Sequence, residues 1–141
     1  EAIEDYNIDK CYYQKIKFGG DITLDNGKNI SNLELTFEPE YEKSYAFCSD
    51  TVYNEDIIQL IKNVDALYHE STFLETESHL AKKTMHSTAR EAATIALKAN
   101  VKKLIMGHYS TRYGNIELFK EEAQTIFNNV ILANDGKTIE L

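Results

Sequence analysis

Several features that define common protein classes are missing from this sequence of 141 residues. No window approaches the roughly 18 apolar residues of a membrane-spanning helix. The start lacks the basic and then apolar segments of a secretory signal peptide. The two cysteines, Cys11 and Cys48, form no metal-binding spacing, which argues against a disulfide framework and favours a reducing compartment. The chain therefore predicts a cytoplasmic protein without a membrane span.

Basic residues are also scarce. The chain has 15 Lys and Arg against 23 Asp and Glu, a formal charge of −8 and a pI of about 5.0. Generic nucleic-acid-binding proteins carry a net basic face, so this balance argues against that class. It leaves room for an enzyme that holds RNA through a few local contacts. A glycine-rich nucleotide loop is missing too, since Gly19-Gly20 lacks the GxGxxG spacing.

The length and a hydrophobic content of 43% indicate one globular domain. Residues 1–43 are expected to be rich in β-structure, because residues 12–18 and 33–37 alternate apolar and polar side chains. The Asp25-Asn26-Gly27 sequence predicts a tight turn between two short strands. The only proline, Pro39, closes the second alternating run.

From residue 44 the pattern changes to strands followed by helices, and this unit occurs three times. Strands are predicted at residues 44–48, 66–68 and 104–106, and helices at residues 55–62, 88–100 and 116–127. The expected caps of these helices are Asn54, a Thr88–Glu91 capping box and Asn115. A final hairpin is predicted from residues 130–133 and 137–141. Three strand–helix units predict an α/β fold in which helices cover a sheet.

Polar side chains follow each predicted strand. Asp50 comes after the first strand, Glu70 after the second and His108 after the third. Ligands of open α/β sheets bind beyond the carboxyl ends of the strands, so neighbouring strands would bring these side chains to one rim. Asp50 could cap the next turn or bind a metal ion. His108 could bind a metal ion or be an ordinary rim residue.

Residues 67–93 gather proton carriers, with three of the four histidines, a Glu beside the first of them and two hydroxyl pairs. A hydrogen bond between His86 and Glu70 would fix the tautomer of the imidazole and raise its basicity, which suits a general acid. The alternative is a solvated loop in which hydroxyl groups cap the next helix and His86 is their exposed neighbour. His69 and His79 have no partner pattern and are predicted to be structural or surface residues.

Five stretches of the sequence match one family in order and in approximate spacing. They are YQKIKFGGDITLDNG, YAFCSDT, HEST, HSTAREAA and GHYSTRY. From about residue 12 to residue 141 the chain resembles the carboxy-terminal part of ribonuclease Z, the tRNA 3′-processing endonuclease of the metallo-β-lactamase fold. The HEST and HSTAREAA pair is the specific part of this resemblance. The implied fold is the carboxy-terminal half of a metallo-β-lactamase αββα sandwich, so residues 1–141 would be a single partial domain.

The resemblance implies a role for each site residue. Asp50 would bridge two zinc ions, or manganese ions, and His108 would bind one of them. Glu70 and His86 would form a proton relay in which His86 protonates the departing 3′-oxygen. The implied reaction is attack of a metal-activated hydroxide on the phosphodiester that follows the tRNA acceptor stem.

The resemblance also implies partners. The substrate would be precursor tRNA, with Arg112 and Arg90 holding its phosphates, because a guanidinium matches the geometry of a phosphate. The complete protein would be a homodimer in the cytoplasm. One alternative is another phosphodiesterase of the same fold, and a second is a non-catalytic binding module of that fold.

One departure from the family is important for activity. The H-x-H-x-D-H metal motif is missing, and no histidine precedes His69. Two metal ligands are too few to hold zinc tightly. The chain also starts at Glu1 without a methionine, which predicts a fragment of a longer protein. We therefore expect the isolated chain to be inactive, to bind zinc weakly and to expose an apolar face that favours dimers or aggregation.

Overall fold

The computed structural model describes residues 6–37 and 41–140. The chain folds into two compact units, residues 1–42 and residues 43–141. The single partial domain expected over residues 1–141 stays a prediction. None of the helices in the described ranges is long and apolar enough to cross a membrane.

The first unit combines short helices with a hairpin. A 3₁₀ turn at Lys10–Tyr12 leads into helix α1 (Tyr13–Lys17), antiparallel strands β1 (Ile22–Thr23) and β2 (Asn29–Ile30), and helix α2 (Asn32–Leu35). The predicted turn between two short strands is confirmed. The core of this unit consists of Ile8, Ile16, Ile22, Ile30 and Leu35.

The β-structure expected at residues 12–18 and 33–37 is wrong, because both runs contain a helix. In the first run only Ile16 is buried, and half-buried Tyr12 lies one helical turn before it. Asp9 starts the preceding 3₁₀ turn by accepting a hydrogen bond from the Cys11 backbone at 2.9 Å. The second run buries only Leu35, so its alternation marks no face of a sheet. Pro39 lies outside the described residues.

The second unit is built on a parallel sheet of four strands. They are β3 (Tyr45–Cys48), β4 (Ala66–Glu70), β5 (Leu104–Gly107) and β6 (Val130–Leu132), and they lie side by side in chain order. Cys48 pairs with His69, and Glu70 pairs with Gly107. The parallel register brings the carboxyl ends of β3, β4 and β5 to the same edge, as the α/β prediction requires.

Three α-helices lie in the described part of this unit: α3 (Ser78–Thr84), α4 (Ala89–Lys98) and α5 (Glu117–Gln124). The predicted capping box at the start of α4 is present, and the side chain of Asn115 accepts a hydrogen bond from the first residue of α5. The helix expected at residues 55–62 is shorter. It is a 3₁₀ turn at Glu55–Ile57, capped by Asn54 as predicted. Hydrogen-bonded turns follow it, in which Ile61 is buried and Leu60 is 85% exposed.

Helix α3 was not predicted, because it buries only Ala81 and has no capping side chain at its start. The hairpin expected at the end of the chain is also wrong. Strand β6 pairs with β5 in parallel, and residues 133–140 form no strand. The carbonyl of Leu132 instead accepts a hydrogen bond from the side chain of Lys137 at 3.2 Å. Leu141 lies outside the described residues.

The two faces of the sheet differ. Helices α4 and α5 contribute most of their buried residues to one core with the inward residues of the strands, among them Leu67, Leu104 and Met106. On the other face Tyr45 and Phe47 are 50% and 64% exposed. Phe47 stacks on Tyr68 with ring centroids 4.6 Å apart. The expected dimers or aggregates would form through this open aromatic face.

Candidate metal and acid–base site

The carboxyl ends of three parallel strands converge on one rim. Asp50 lies two residues after β3, Glu70 is the last residue of β4 and His108 directly follows β5. Asp50 and His108 adopt φ angles of 47° and 61°, in the left-handed region that non-glycine residues rarely occupy. Such conformations cost about 1–3 kcal/mol and cluster at functional sites. These two turns bring the side chains together, with His108 Nε2 3.4 Å from Asp50 Oδ1.

Glu70 is the hydrogen-bonding centre of the rim. Its carboxylate is fully buried and accepts four hydrogen bonds. Oε1 accepts from the Thr51 backbone at 3.1 Å and from His86 Nδ1 at 2.9 Å. Oε2 accepts from the backbone of Thr72 at 3.0 Å and from its hydroxyl at 2.6 Å. Four donors fill the acceptor sites of a carboxylate, which is how a buried charge is stabilised.

This network determines the protons on both histidines. His86 donates from Nδ1 to Glu70, so its Nε2 faces away from that carboxylate. The hydroxyl proton of Thr72 goes to Glu70, so Thr72 Oγ1 accepts from His108 Nδ1 at 2.9 Å. In a neutral His108 the lone pair is therefore on Nε2, the atom that faces Asp50. Metal-binding histidines are oriented in this way, by a hydrogen bond from their other ring nitrogen.

Asp50, His86 and His108 form a group that could hold a metal ion. One ligand atom from each residue lies within 4.8 Å of the others. Two atoms bound to one tetrahedral zinc ion at about 2.1 Å lie about 3.4 Å apart, which matches the 3.4 Å between His108 Nε2 and Asp50 Oδ1. Two acceptors at this distance need a proton or a cation between them. The donor set therefore fits a divalent cation.

Hydrogen bonds before and after His86 in the chain fix its position. Helix α3 ends in a Schellman motif, in which His86 N donates to Ala81 O at 2.9 Å and Met85 N donates to Lys82 O at 3.4 Å. Met85 has φ 63° at the position that usually holds glycine. The next residue, Ser87, is buried and donates to Thr51 O at 2.6 Å. His86 is thus fixed against Glu70, so the alternative that made it an exposed neighbour of the helix cap is wrong, although Thr88 caps α4 as that alternative expected.

The two arginines of the chain differ in their relation to this group. Arg112 donates from Nε to Ser110 Oγ at 3.3 Å, and its guanidinium carbon lies 5.2 Å from the centre of the Phe73 ring. The Phe73 ring lies 6.4 Å from that of His86. Arg90 is exposed at the start of α4, and no described contact joins its side chain to the group.

The other two histidines are not part of the group. His69 is fully buried, donates from Nδ1 to the carbonyl of Glu70 at 2.7 Å, and burial lowers its pKa. His79 lies in α3 and is largely exposed. Both agree with the prediction of structural or surface residues. The sequence interpretation did not identify Thr72 and Phe73, although the dense hydroxyl pairs were a signal for Thr72.

The fold is shared with proteins of the metallo-β-lactamase fold. A metallo-β-lactamase fold protein from Bacillus subtilis matches with a TM-score of 0.62 and 26% identity, over 67% of this chain and 38% of its own. The short form of human tRNase Z matches with a TM-score of 0.50 and 31% identity, over 66% of this chain and 30% of its own. The chain therefore has the α/β fold of a portion of a metallo-β-lactamase fold protein, as predicted.

The sequence is similar to curated proteins named Ribonuclease Z. It is 44% identical to that of Parabacteroides distasonis over 141 residues and 45% identical to that of Porphyromonas gingivalis over 140 residues. The two matches cover 100% and 99% of this chain, but only 46% of either relative. No protein-family model matches the chain. The predicted resemblance to the carboxy-terminal part of ribonuclease Z is confirmed.

Proposed function

We propose that this chain carries one part of the active site of a zinc-dependent endoribonuclease that removes the 3′ trailer from precursor tRNA. The observation that carries the proposal is one hydrogen-bonded line through His86, Glu70, Thr72 and His108, which ends with His108 Nε2 3.4 Å from Asp50 Oδ1. It joins a proton donor to candidate metal ligands. The names of the relatives support a tRNA-processing nuclease as the parent activity.

Asp50 and His108 are the proposed metal ligands. Asp50 offers an exposed carboxylate, and His108 offers Nε2 while its Nδ1 is held by Thr72. Zinc, or manganese in its place, would supply Lewis-acid activation of water and of the phosphodiester when bound. Thr72 would keep the imidazole of His108 in the tautomer that can bind the ion.

Glu70 and His86 are the proposed acid–base pair. His86 would donate a proton from Nε2 to the departing 3′-oxygen, and Glu70 would stabilise the imidazolium before that transfer and keep the ring oriented. Because all four acceptor sites of Glu70 are filled, this carboxylate would not rotate during turnover. The proton would thus leave from the ring nitrogen that does not contact Glu70.

Arg112 is proposed to bind a phosphate of the substrate beside His86. No described residue accepts a hydrogen bond from its two terminal nitrogens, so both are available as a fork for phosphate oxygens. Arg90 stays a second candidate for phosphate binding, at the start of α4. Local arginine contacts of this kind suit a protein whose overall charge repels RNA.

We also propose that the chain is inactive alone. Three clustered donor groups do not complete two metal sites, and a catalytic zinc takes three protein ligands in addition to water. The remaining ligands would come from a segment that precedes this chain in a longer protein. That complete protein would be a homodimer in the cytoplasm.

The decisive experiment is cleavage of a 3′-extended precursor tRNA by the chain joined to its native upstream segment and loaded with zinc. Asp50→Ala and His86→Ala should each abolish cleavage, whereas His79→Ala should not, because His79 is exposed outside the group. Failure of the folded, zinc-loaded protein to cleave would refute the proposal. Cleavage of a cyclic nucleotide but not of precursor tRNA would favour another phosphodiesterase of this fold. Absence of the H-x-H-x-D-H motif upstream would favour a binding module.

A further inference from the structure

Phe73 lies between the candidate acid and the candidate phosphate ligand. It directly follows Thr72, and only 5% of the residue is exposed. Its ring centroid is 6.4 Å from that of His86, with the two planes at 55°. The guanidinium carbon of Arg112 is 5.2 Å from the same ring, within the range of a cation–π contact. One buried ring therefore contacts both side chains.

The backbone of Phe73 is fixed to the loop that carries His86. Phe73 and Thr88 form an isolated parallel bridge. Phe73 N donates to Ser87 O at 3.3 Å, and Phe73 O accepts from Ala89 N at 2.9 Å. These contacts fix the backbone of Phe73 relative to the loop that carries His86, and burial leaves the ring little room to turn. Phe73 is therefore a rigid surface for the guanidinium.

The loop that carries Arg112 is fixed to the same segment from the other side. Ser110 N donates to Thr72 O at 3.1 Å, and Leu74 N donates to the hydroxyl oxygen of Tyr113 at 3.1 Å. These two hydrogen bonds flank Phe73 in the chain. Arg112 lies between Ser110 and Tyr113, so its backbone is tied to the segment that carries the Phe73 ring.

We propose that Phe73 is a positioning residue that holds the Arg112 guanidinium beside His86 for binding of a substrate phosphate. This inference rests on the proposed function and extends it to a residue that contacts neither the metal ligands nor, by this assignment, the RNA. A long arginine side chain loses rotamer freedom when it binds a phosphate, and a stack that already restricts it reduces that loss. The stack leaves the terminal nitrogens of Arg112 available.

The stack can be measured first in the free protein. The chain has only two arginines, so ¹⁵N NMR shows two Nε–Hε signals, and Arg90 serves as the internal control. We expect an upfield ring-current shift of the Arg112 signal that Phe73→Leu removes and Phe73→Tyr retains. We also expect cross-relaxation between Arg112 and the Phe73 ring in the unchanged chain. This measurement needs no substitution, so it tests the inference even if Phe73→Leu does not fold. Absence of that cross-relaxation overturns the inference.

The second measurement is a double-mutant cycle on binding of a 3′-extended precursor tRNA at low salt, by fluorescence anisotropy with the 141-residue chain. Phe73→Leu should weaken binding about two- to fivefold, the size expected for a cation–π contact, and should have no further effect in an Arg112→Ala background. Additive effects would mean that Phe73 acts independently of Arg112. That result would overturn this inference but not the proposed phosphate role of Arg112. If Arg112→Ala leaves the affinity unchanged, the proposed phosphate role of Arg112 fails, and the inference fails with it.

Discussion

Replacing Glu70 with glutamine changes one oxygen of a fully buried carboxylate into an NH₂ group and removes its charge. Each oxygen of Glu70 accepts one backbone N–H and one side-chain donor. The side-chain donors can adapt, because His86 can change tautomer and the Thr72 hydroxyl can rotate. The backbone N–H groups of Thr51 and Thr72 cannot adapt. Whichever way the amide turns, its NH₂ meets one of these two N–H groups.

The cost of this substitution follows from that conflict. A buried N–H without an acceptor costs about 1–3 kcal/mol, and hydrogen bonds to a neutral amide are each weaker than those to a carboxylate. We therefore expect Glu70→Gln to lower the free energy of unfolding by about 3 kcal/mol. For a domain of this size, that change lowers Tm by roughly 10 °C.

Glu91→Gln is the matched control. Glu91 also accepts a backbone hydrogen bond, from Thr88 at 2.9 Å, but through one oxygen only. A glutamine there can present its carbonyl oxygen to Thr88, so the loss should stay below about 1 kcal/mol, the usual effect of a charge at a helix N-terminus.

Urea unfolding followed by circular dichroism compares Glu70→Gln and Glu91→Gln with the unchanged chain. The comparison needs unchanged m-values, because a change in m would indicate an altered denatured state or a loss of two-state behaviour. A cost for Glu70→Gln no larger than that for Glu91→Gln would refute the argument from two fixed N–H donors. It would mean that the buried carboxylate is not held as its four contacts indicate.

Four further predictions concern other parts of the second unit. Met85→Gly should raise the stability by up to about 1 kcal/mol in thermal unfolding, because Met85 is 61% exposed and its φ of 63° favours glycine; a loss would mean that its side chain packs. Hydrogen bonds from Lys102 and Ser44 hold the pKa of Asp65 well below its usual range, so Asp65 should stabilise the fold above its unfolded pKa of about 3.9. That contribution should disappear as the pH falls towards the folded pKa, and Asp65→Asn should unfold with a weaker dependence on pH in this range. Phe47→Glu should reduce dimers or aggregates in light scattering, because it places a charge on the open face of the sheet; an unchanged chain that is monomeric and binds no hydrophobic dye would contradict this. The purified chain should lose its zinc on dialysis, and stoichiometric zinc by elemental analysis after dialysis would contradict the incomplete site.

The rim of the second unit could be predicted from sequence because a parallel sheet leaves little freedom. After a strand and a helix, the next strand of a parallel sheet runs in the same direction as the first. The residues after β3, β4 and β5 therefore lie at one edge. Asp50, Glu70 and His108 were placed there from their positions in the chain alone. Their chemical roles came from the resemblance to a family, which spacing could not supply.

The helices of the first unit and helix α3 could not be predicted for the opposite reason, whereas the hairpin turn of that unit could. These helices are four to seven residues long and each buries one side chain, so no periodicity distinguishes a helix from a strand. Phe73 was missed because its contacts are distant in sequence. It meets Thr88 and Arg112 only after three loops have been brought to one rim.

The geometry of the rim also indicates on which side further ligands would approach. Glu70 is fully buried and faces its donors from within the unit, whereas the side chains of Asp50 and His108 are 71% and 40% exposed. Inward atoms of the group are therefore already hydrogen-bonded, and its metal-binding atoms face solvent. Asp50 and His108 would hold a divalent cation from this side, and a catalytic zinc needs a third protein ligand as well as water. The proposed metal centre thus requires donors that approach from outside the rim, which is why the isolated chain is expected to hold zinc only weakly.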